Sequence, residues 1–270
     1  MNQQVHLFPA NGLDPIAYTP LIKKLEPITK VIEHRFAPYK NPQLAIPNPL
    51  SWKIFSHEMD HVLSKKKNLI GIGHSLGATV LLYNALKNPG RFKDIIIIEP
   101  ALFSPFIRYI YQLIQFLNLE NKVHPMLRLT HKRRDIFQSK EAVFKRWRAR
   151  EQFKYLNDEA LKFFIEASIF KKNDAYILRF SKAWEAAIYA SMCSLDPFIW
   201  ENIASTTTRI HVLAGATSNT FLSGARNKLK KYADQFVTVP NSSHMLPFEQ
   251  VLECKRLIKK VVAITHTTKV

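Results

Sequence analysis

Cysteine, glycine, acidic residues and long apolar runs are all scarce in this chain of 270 residues. Only two cysteines occur, Cys193 and Cys254, far apart and in no C-x-x-C pattern. That excludes a disulfide scaffold and predicts free thiols in a reducing, cytoplasmic compartment. The longest mainly apolar stretch, Phe106 to Leu117, is broken by Arg108, Gln112 and Gln115 and is too short to span a bilayer. The N-terminus, MNQQVHLFPANG, lacks a basic region followed by a long apolar one, so no signal peptide is expected. Acidic residues number 21 against 39 Lys and Arg, giving a net charge of +18 and a pI near 9.9. Such a charge opposes self-association and favours phosphates, anionic lipid or acidic substrates. What is plentiful is apolar and aromatic residue, at 47% and 11%, which excludes intrinsic disorder and supplies a full core.

The seven glycines are unevenly spent. Gly71, Gly73 and Gly77 fall within one short stretch, where the backbone needs a tight turn or close packing. Around them, strand and helix patterns alternate. Strands are predicted at Val5 to Phe8, Thr29 to Ile32, Asn68 to Ile72, Asp94 to Ile98, Arg209 to Ala214 and Phe236 to Val239. Four consecutive isoleucines close the fourth, as in a parallel sheet covered on both faces. Asp14 reads as a helix N-cap before Pro15, followed by an apolar face of Tyr18, Leu21, Ile22 and Leu25. Helices are predicted at Trp52 to Leu63, Leu76 to Leu86, near 223–232 and from Pro247 to about Val262. Four prolines between Arg35 and Leu50 predict loop. From 103 to 192 the alternation stops and helical patterns dominate. The prediction is an α/β core at 1–102 and 193–270, split by a helical cap at 103–192.

Gly73-His74-Ser75-Leu76-Gly77 follows an apolar strand and opens a helix. This is the context of a nucleophile elbow, a strained turn that exposes a serine Oγ above a sheet. A serine hydroxyl needs a base. In chains built around such an elbow the order is serine, acid, histidine, with the histidine after the last strand. Of ten histidines only His244 lies there.

These features identify the chain as resembling the α/β-hydrolase superfamily. The resemblance runs through Phe8-Pro-Ala-Asn-Gly-Leu-Asp-Pro15, the elbow, Ile98-Glu-Pro100, Gly215 to Phe221 and Ser243-His-Met-Leu-Pro247, and is strongest to bacterial members with an A-N-G-F-P-like opening. It implies a mostly parallel sheet with helices on both faces and a helical cap. It also implies an oxyanion hole from the backbone N–H groups of Leu13 and Leu76, and no cofactor or metal. The acid departs from the family pattern. The turn after the strand at 209–214 reads Gly215-Ala-Thr-Ser-Asn-Thr220 and holds no carboxylate. Asn219 or Ser218 occupies the expected place. Glu99, at the end of the isoleucine strand, is the alternative, since some relatives take their acid from that strand end. Asp196 is a more distant candidate.

The expected activity is hydrolysis of a carboxylic ester or thioester of a small or acyl-chain substrate through an acyl-enzyme. The alternatives are carbon–carbon bond cleavage or lyase chemistry on the same residues, and a non-hydrolytic binder with a degraded triad. His57-Glu-Met-Asp-His61 matches H-E-x-x-H, but it falls on the helix before the serine strand with no third ligand following, and reads as an exposed polar face. Lys122 to Lys154 holds eleven Lys and Arg against three acidic residues. It reads as a solvated lid face, with weak contact to an anionic membrane or anionic substrate as the alternative. No helix-turn-helix or finger pattern points to nucleic acid.

Overall fold

The computed structural model describes residues 4–41 and 43–267. Six parallel strands form the central sheet: β1 (Gln4–Phe8), β2 (Lys30–Glu33), β3 (Leu69–His74), β4 (Phe92–Ile98), β8 (Arg209–Gly215) and β9 (Gln235–Val239), in the order β2-β1-β3-β4-β8-β9. Successive side chains on a strand point to opposite faces, so a strand covered on both sides must be apolar throughout. The isoleucine run obeys this. Ile96 and Ile98 join the cluster of Tyr18, Leu21, Leu25 and Ile258, whereas Ile95 and Ile97 join Phe55, Met59, Leu81 and Leu229 across the sheet. Helices Thr19–Leu25 and Val251–Thr267 therefore cover one face, and Lys53–Val62, Leu76–Lys87 and Ser223–Lys230 the other. Both cysteines are free and buried.

Between β4 and β8 the chain leaves the sheet and builds a chiefly helical insertion, with helices at Pro105–Phe116, Pro125–Lys132, Lys140–Arg148, Asp158–Ser168 and Lys182–Ala190. Asn157 caps the fourth by accepting from the Ala160 N–H at 2.8 Å, and Leu161, Phe164 and Ile165 are its buried face. Trp147, Trp184 and Phe164 are buried in the core. Tryptophan N–H groups stitch the insertion to its surroundings: Trp184 donates to Leu44 O at 2.8 Å, and Trp52 to Ile188 O at 3.0 Å.

Three local expectations need correction. The insertion also holds a small antiparallel sheet of β5 (Ile136–Phe137), β6 (Ile169–Lys172) and β7 (Ala175–Leu178), in the order β5-β7-β6. Its hairpin turns on Asn173-Asp174, with Asn173 at φ 53°. The proline-rich segment is not all loop, because Ala37–Lys40 forms one helical turn with Pro38 near its start, where a missing N–H costs nothing. The final helix is two pieces, Leu246–Glu249 and Val251–Thr267.

Candidate active site

The carboxyl ends of β3, β4, β8 and β9 converge on one point. Ser75 follows β3 directly and has φ 53° and ψ −116°, a region that side chains rarely occupy. Its N–H donates to Ile98 O at 3.1 Å, tying the turn to β4. Close approach makes the strain possible. A Cβ on Gly77 would lie 2.3 Å from Phe8 O, and one on Gly73 2.5 Å from the Ala78 Cα. Only glycine lets the helix start this near both strands.

His244 sits in the loop after β9. Its Nε2 lies 2.9 Å from Ser75 Oγ and its Nδ1 3.2 Å from Glu99 Oε2. The loop is pinned from below, because Ser243 gives its N–H and hydroxyl to Glu249 at 2.6 and 2.7 Å. Glu99 is fully buried and also lies in the left-handed region, at φ 49°. A buried carboxylate needs partners. Oε1 accepts the Gly215 N–H at 2.6 Å and faces the Arg226 guanidinium at 3.6 Å. Oε2 accepts the Ser218 hydroxyl at 2.5 Å as well as facing His244. The geometry therefore brings Ser75, His244 and Glu99 together. Asn219 is exposed, and its neighbour Ser218 reaches Glu99 instead. Asp196 is buried elsewhere, accepting the Phe103 N–H at 3.1 Å, and burial pushes its carboxyl up to about 7.

The two expected oxyanion donors differ. Leu76 is the first residue of helix Leu76–Lys87, where backbone N–H groups have no partner within the helix. The Leu13 N–H makes a long 3.3 Å bond to Ala10 O, so donation to a substrate oxygen requires it to turn from that carbonyl. The loop carrying it is covered by the insertion. The Glu185 carboxylate would lie 3.4 Å from a Cβ on Gly12, and Asn11 Nδ2 donates to Glu185 O at 3.3 Å. Arg133 clamps that carboxylate with both terminal nitrogens, one at 3.0 Å.

One support was not legible in the sequence. His74, the residue before the serine, is buried against Tyr18 and His244. Its Nε2 faces the His244 carbonyl at 2.9 Å, an atom that only accepts, so Nε2 carries the proton. Its Nδ1 then accepts the Tyr18 hydroxyl at 2.8 Å, while that oxygen accepts the Ala10 N–H at 3.0 Å. Burial, followed by the neighbouring His244, pushes the His74 imidazole down to about 3 and keeps it neutral.

The H-E-x-x-H stretch is used otherwise. His57 and His61 are exposed, and Glu58 accepts the Ala37 N–H at 2.7 Å. Among the described residues no group of three or more His, Cys, Asp or Glu is placed to hold a metal ion.

Residues 45–254 match the model of the alpha/beta hydrolase family, and the chain belongs to that family. No curated protein sequence matches it. Among solved structures it is similar to a peroxisomal alpha-beta-hydrolase of Saccharomyces cerevisiae, with 18% identity over 100% of this chain and 79% of that one, at a TM-score of 0.75. It is similar to E-2-(acetamidomethylene)succinate hydrolase, with 16% identity over 97% and 92% of the two chains and a TM-score of 0.76. A Mycobacterium tuberculosis esterase gives 14% identity over 97% and 86%, at 0.73. Identities this low speak for the fold alone.

Proposed function

We propose that the chain is a serine hydrolase that cleaves a carboxylic ester or thioester of a small or acyl-chain substrate. The observation that carries this reading is the hydrogen-bonded line from Ser75 Oγ through His244 to the buried Glu99. Ser75 Oγ attacks the acyl carbonyl as His244 Nε2 takes its proton. The Leu76 N–H, with that of Leu13 once turned, receives the developing oxyanion. His244 returns the proton to the leaving group, and the same histidine activates the water that clears the acyl-enzyme. Glu99 holds the imidazole and stabilises its charged form. Membership of the alpha/beta hydrolase family supports hydrolysis and does not choose the bond.

The missing carboxylate at 215–220 favours a non-hydrolytic binder, whereas Glu99 beside His244 supports the enzyme. Reaction of the intact chain with a fluorophosphonate tests the reading: stoichiometric labelling of Ser75 is expected, and folded protein that stays unlabelled refutes it. A panel of esters and thioesters of graded acyl length, with a carbon–carbon cleavage substrate beside them, identifies the bond. The free buried cysteines fit a cytoplasmic enzyme.

A further inference from the structure

Helix Pro105–Phe116 is fastened by one side only. Tyr111 is buried, and its hydroxyl and the Gln115 amide both donate to Ala190 O, at 3.2 and 2.8 Å. Those two bonds fix how the helix is turned about its axis. Phe106, Tyr109, Ile110, Leu113 and Phe116 recur at spacings of three and four, so they share one arc. With the helix locked, that arc points to solvent, and Phe106 and Phe116 are 71% and 81% exposed. Leu117, Val123, Met126 and Leu129, in the turns that follow this ridge, are exposed as well. A helical apolar stripe is normally the buried face, and a contiguous exposed one marks an interaction surface.

The charges around the ridge say what it meets. From Pro105 to Arg134 there are six Lys and Arg and one acidic residue, Glu120. Lys122, Arg128, Lys132 and Arg134 are all exposed. We propose that this face of the insertion docks on the surface of an anionic lipid bilayer, with the apolar ridge entering the acyl boundary and the basic side chains meeting headgroup phosphates. A second copy is a poor occupant, because each copy carries +18 and brings the same basic rim. Nucleic acid would use the basic side chains and leave the aromatic ridge in water. The attachment is peripheral, since among the described residues no helix is long and apolar enough to cross a membrane. It is independent of hydrolysis and extends to the Ser75→Ala chain.

Co-sedimentation of the full chain with vesicles tests this. Binding is expected to vesicles of equal phosphatidylglycerol and phosphatidylcholine, and to be at least ~10-fold weaker with phosphatidylcholine alone. Raising NaCl from 50 to 300 mM is expected to weaken it a further ~10-fold, because the attraction is screened. A Phe106→Ser, Leu113→Ser, Phe116→Ser triple variant should lose at least ~10-fold in partitioning. Its melting temperature and its hydrolysis of a soluble short-chain ester should change little, since none of the three side chains belongs to either core cluster or to the group around Ser75. Phe116→Trp should blue-shift its fluorescence on anionic vesicles. Absence of binding to anionic vesicles overturns the proposal. So does binding that the triple variant leaves intact. A dimer in analytical ultracentrifugation that the triple variant dissociates assigns the ridge to a second copy and also overturns it.

Discussion

Glu99→Gln is the sharpest perturbation of the proposed chemistry. The carboxylate accepts from the Gly215 N–H, the Ser218 hydroxyl and His244 Nδ1 at once. A carboxamide has one oxygen and one NH2, so it cannot accept from Gly215 and His244 together. Either the Gly215 bond is lost or the imidazole faces a donor and takes the wrong tautomer. The charge also disappears. At the 3.2 Å separation of His244 and Glu99, an imidazolium–carboxylate pair at an effective dielectric of ~20 is worth about 5 kcal/mol. Lost wholly from the transition state, that is roughly four orders of magnitude in kcat. The assay is hydrolysis of a chromogenic short-chain ester, with circular dichroism and a thermal melt on the same sample to show that the fold survives. Asn219→Ala is the matched control. It is exposed, so less than about a twofold change is expected. If folded Glu99→Gln keeps more than a tenth of wild-type kcat, or if Asn219→Ala costs as much, the assignment of the orienting group is wrong.

Ser75→Ala should abolish turnover and fluorophosphonate labelling yet leave the melting temperature within a few degrees, because the strain at φ 53° belongs to the turn and not to the hydroxyl. His74→Ala removes the donor to the His244 carbonyl and strands the buried Tyr18 hydroxyl. We expect kcat to fall ~10–100-fold with little change in KM, and a loss of about 1–3 kcal/mol in urea unfolding; an unchanged kcat would leave His74 a packing residue. Asp196 has a folded pKa of about 7, above its unfolded value, so the folded chain holds the extra proton and its stability drops as pH rises from about 4 to 7. Asp196→Asn should therefore be more stable than wild type at pH 8 and equal to it near pH 4. A gain of the same size at both pH values contradicts the buried-carboxyl account.

The sheet was legible because each central strand must be apolar on both faces, a rule written into single short runs such as Ile95 to Ile98. The serine and histidine were legible because elbow and loop are local in sequence. Sequence leaves Glu99 among several candidates for the acid, because its nearness to His244 depends on sheet register, in which β4 pairs with β3 on one side and β8 on the other. The Tyr18–His74 link was hidden, because Tyr18 reads as one more apolar position on a helix face. The β6–β7 hairpin carried a signal in Asn173-Asp174, a pair that favours tight turns, but the surrounding helical pattern outweighed it. Helix Pro105–Phe116 shows the opposite limit. Its stripe has the period of a buried face, and nothing in the period says which side the rest of the protein occupies.

The clamp of Arg133 on Glu185 joins the insertion to the loop that follows β1. Both groups belong to the insertion, but the carboxylate lies on Gly12, next to the Leu13 N–H. Moving helix Lys182–Ala190 by itself separates a largely buried ion pair. Lifting Arg133 and Glu185 as one body spares the pair but withdraws the support behind Gly12. The insertion and the loop at 11–13 are thus coupled through one carboxylate, so that displacing either one changes what packs against the other.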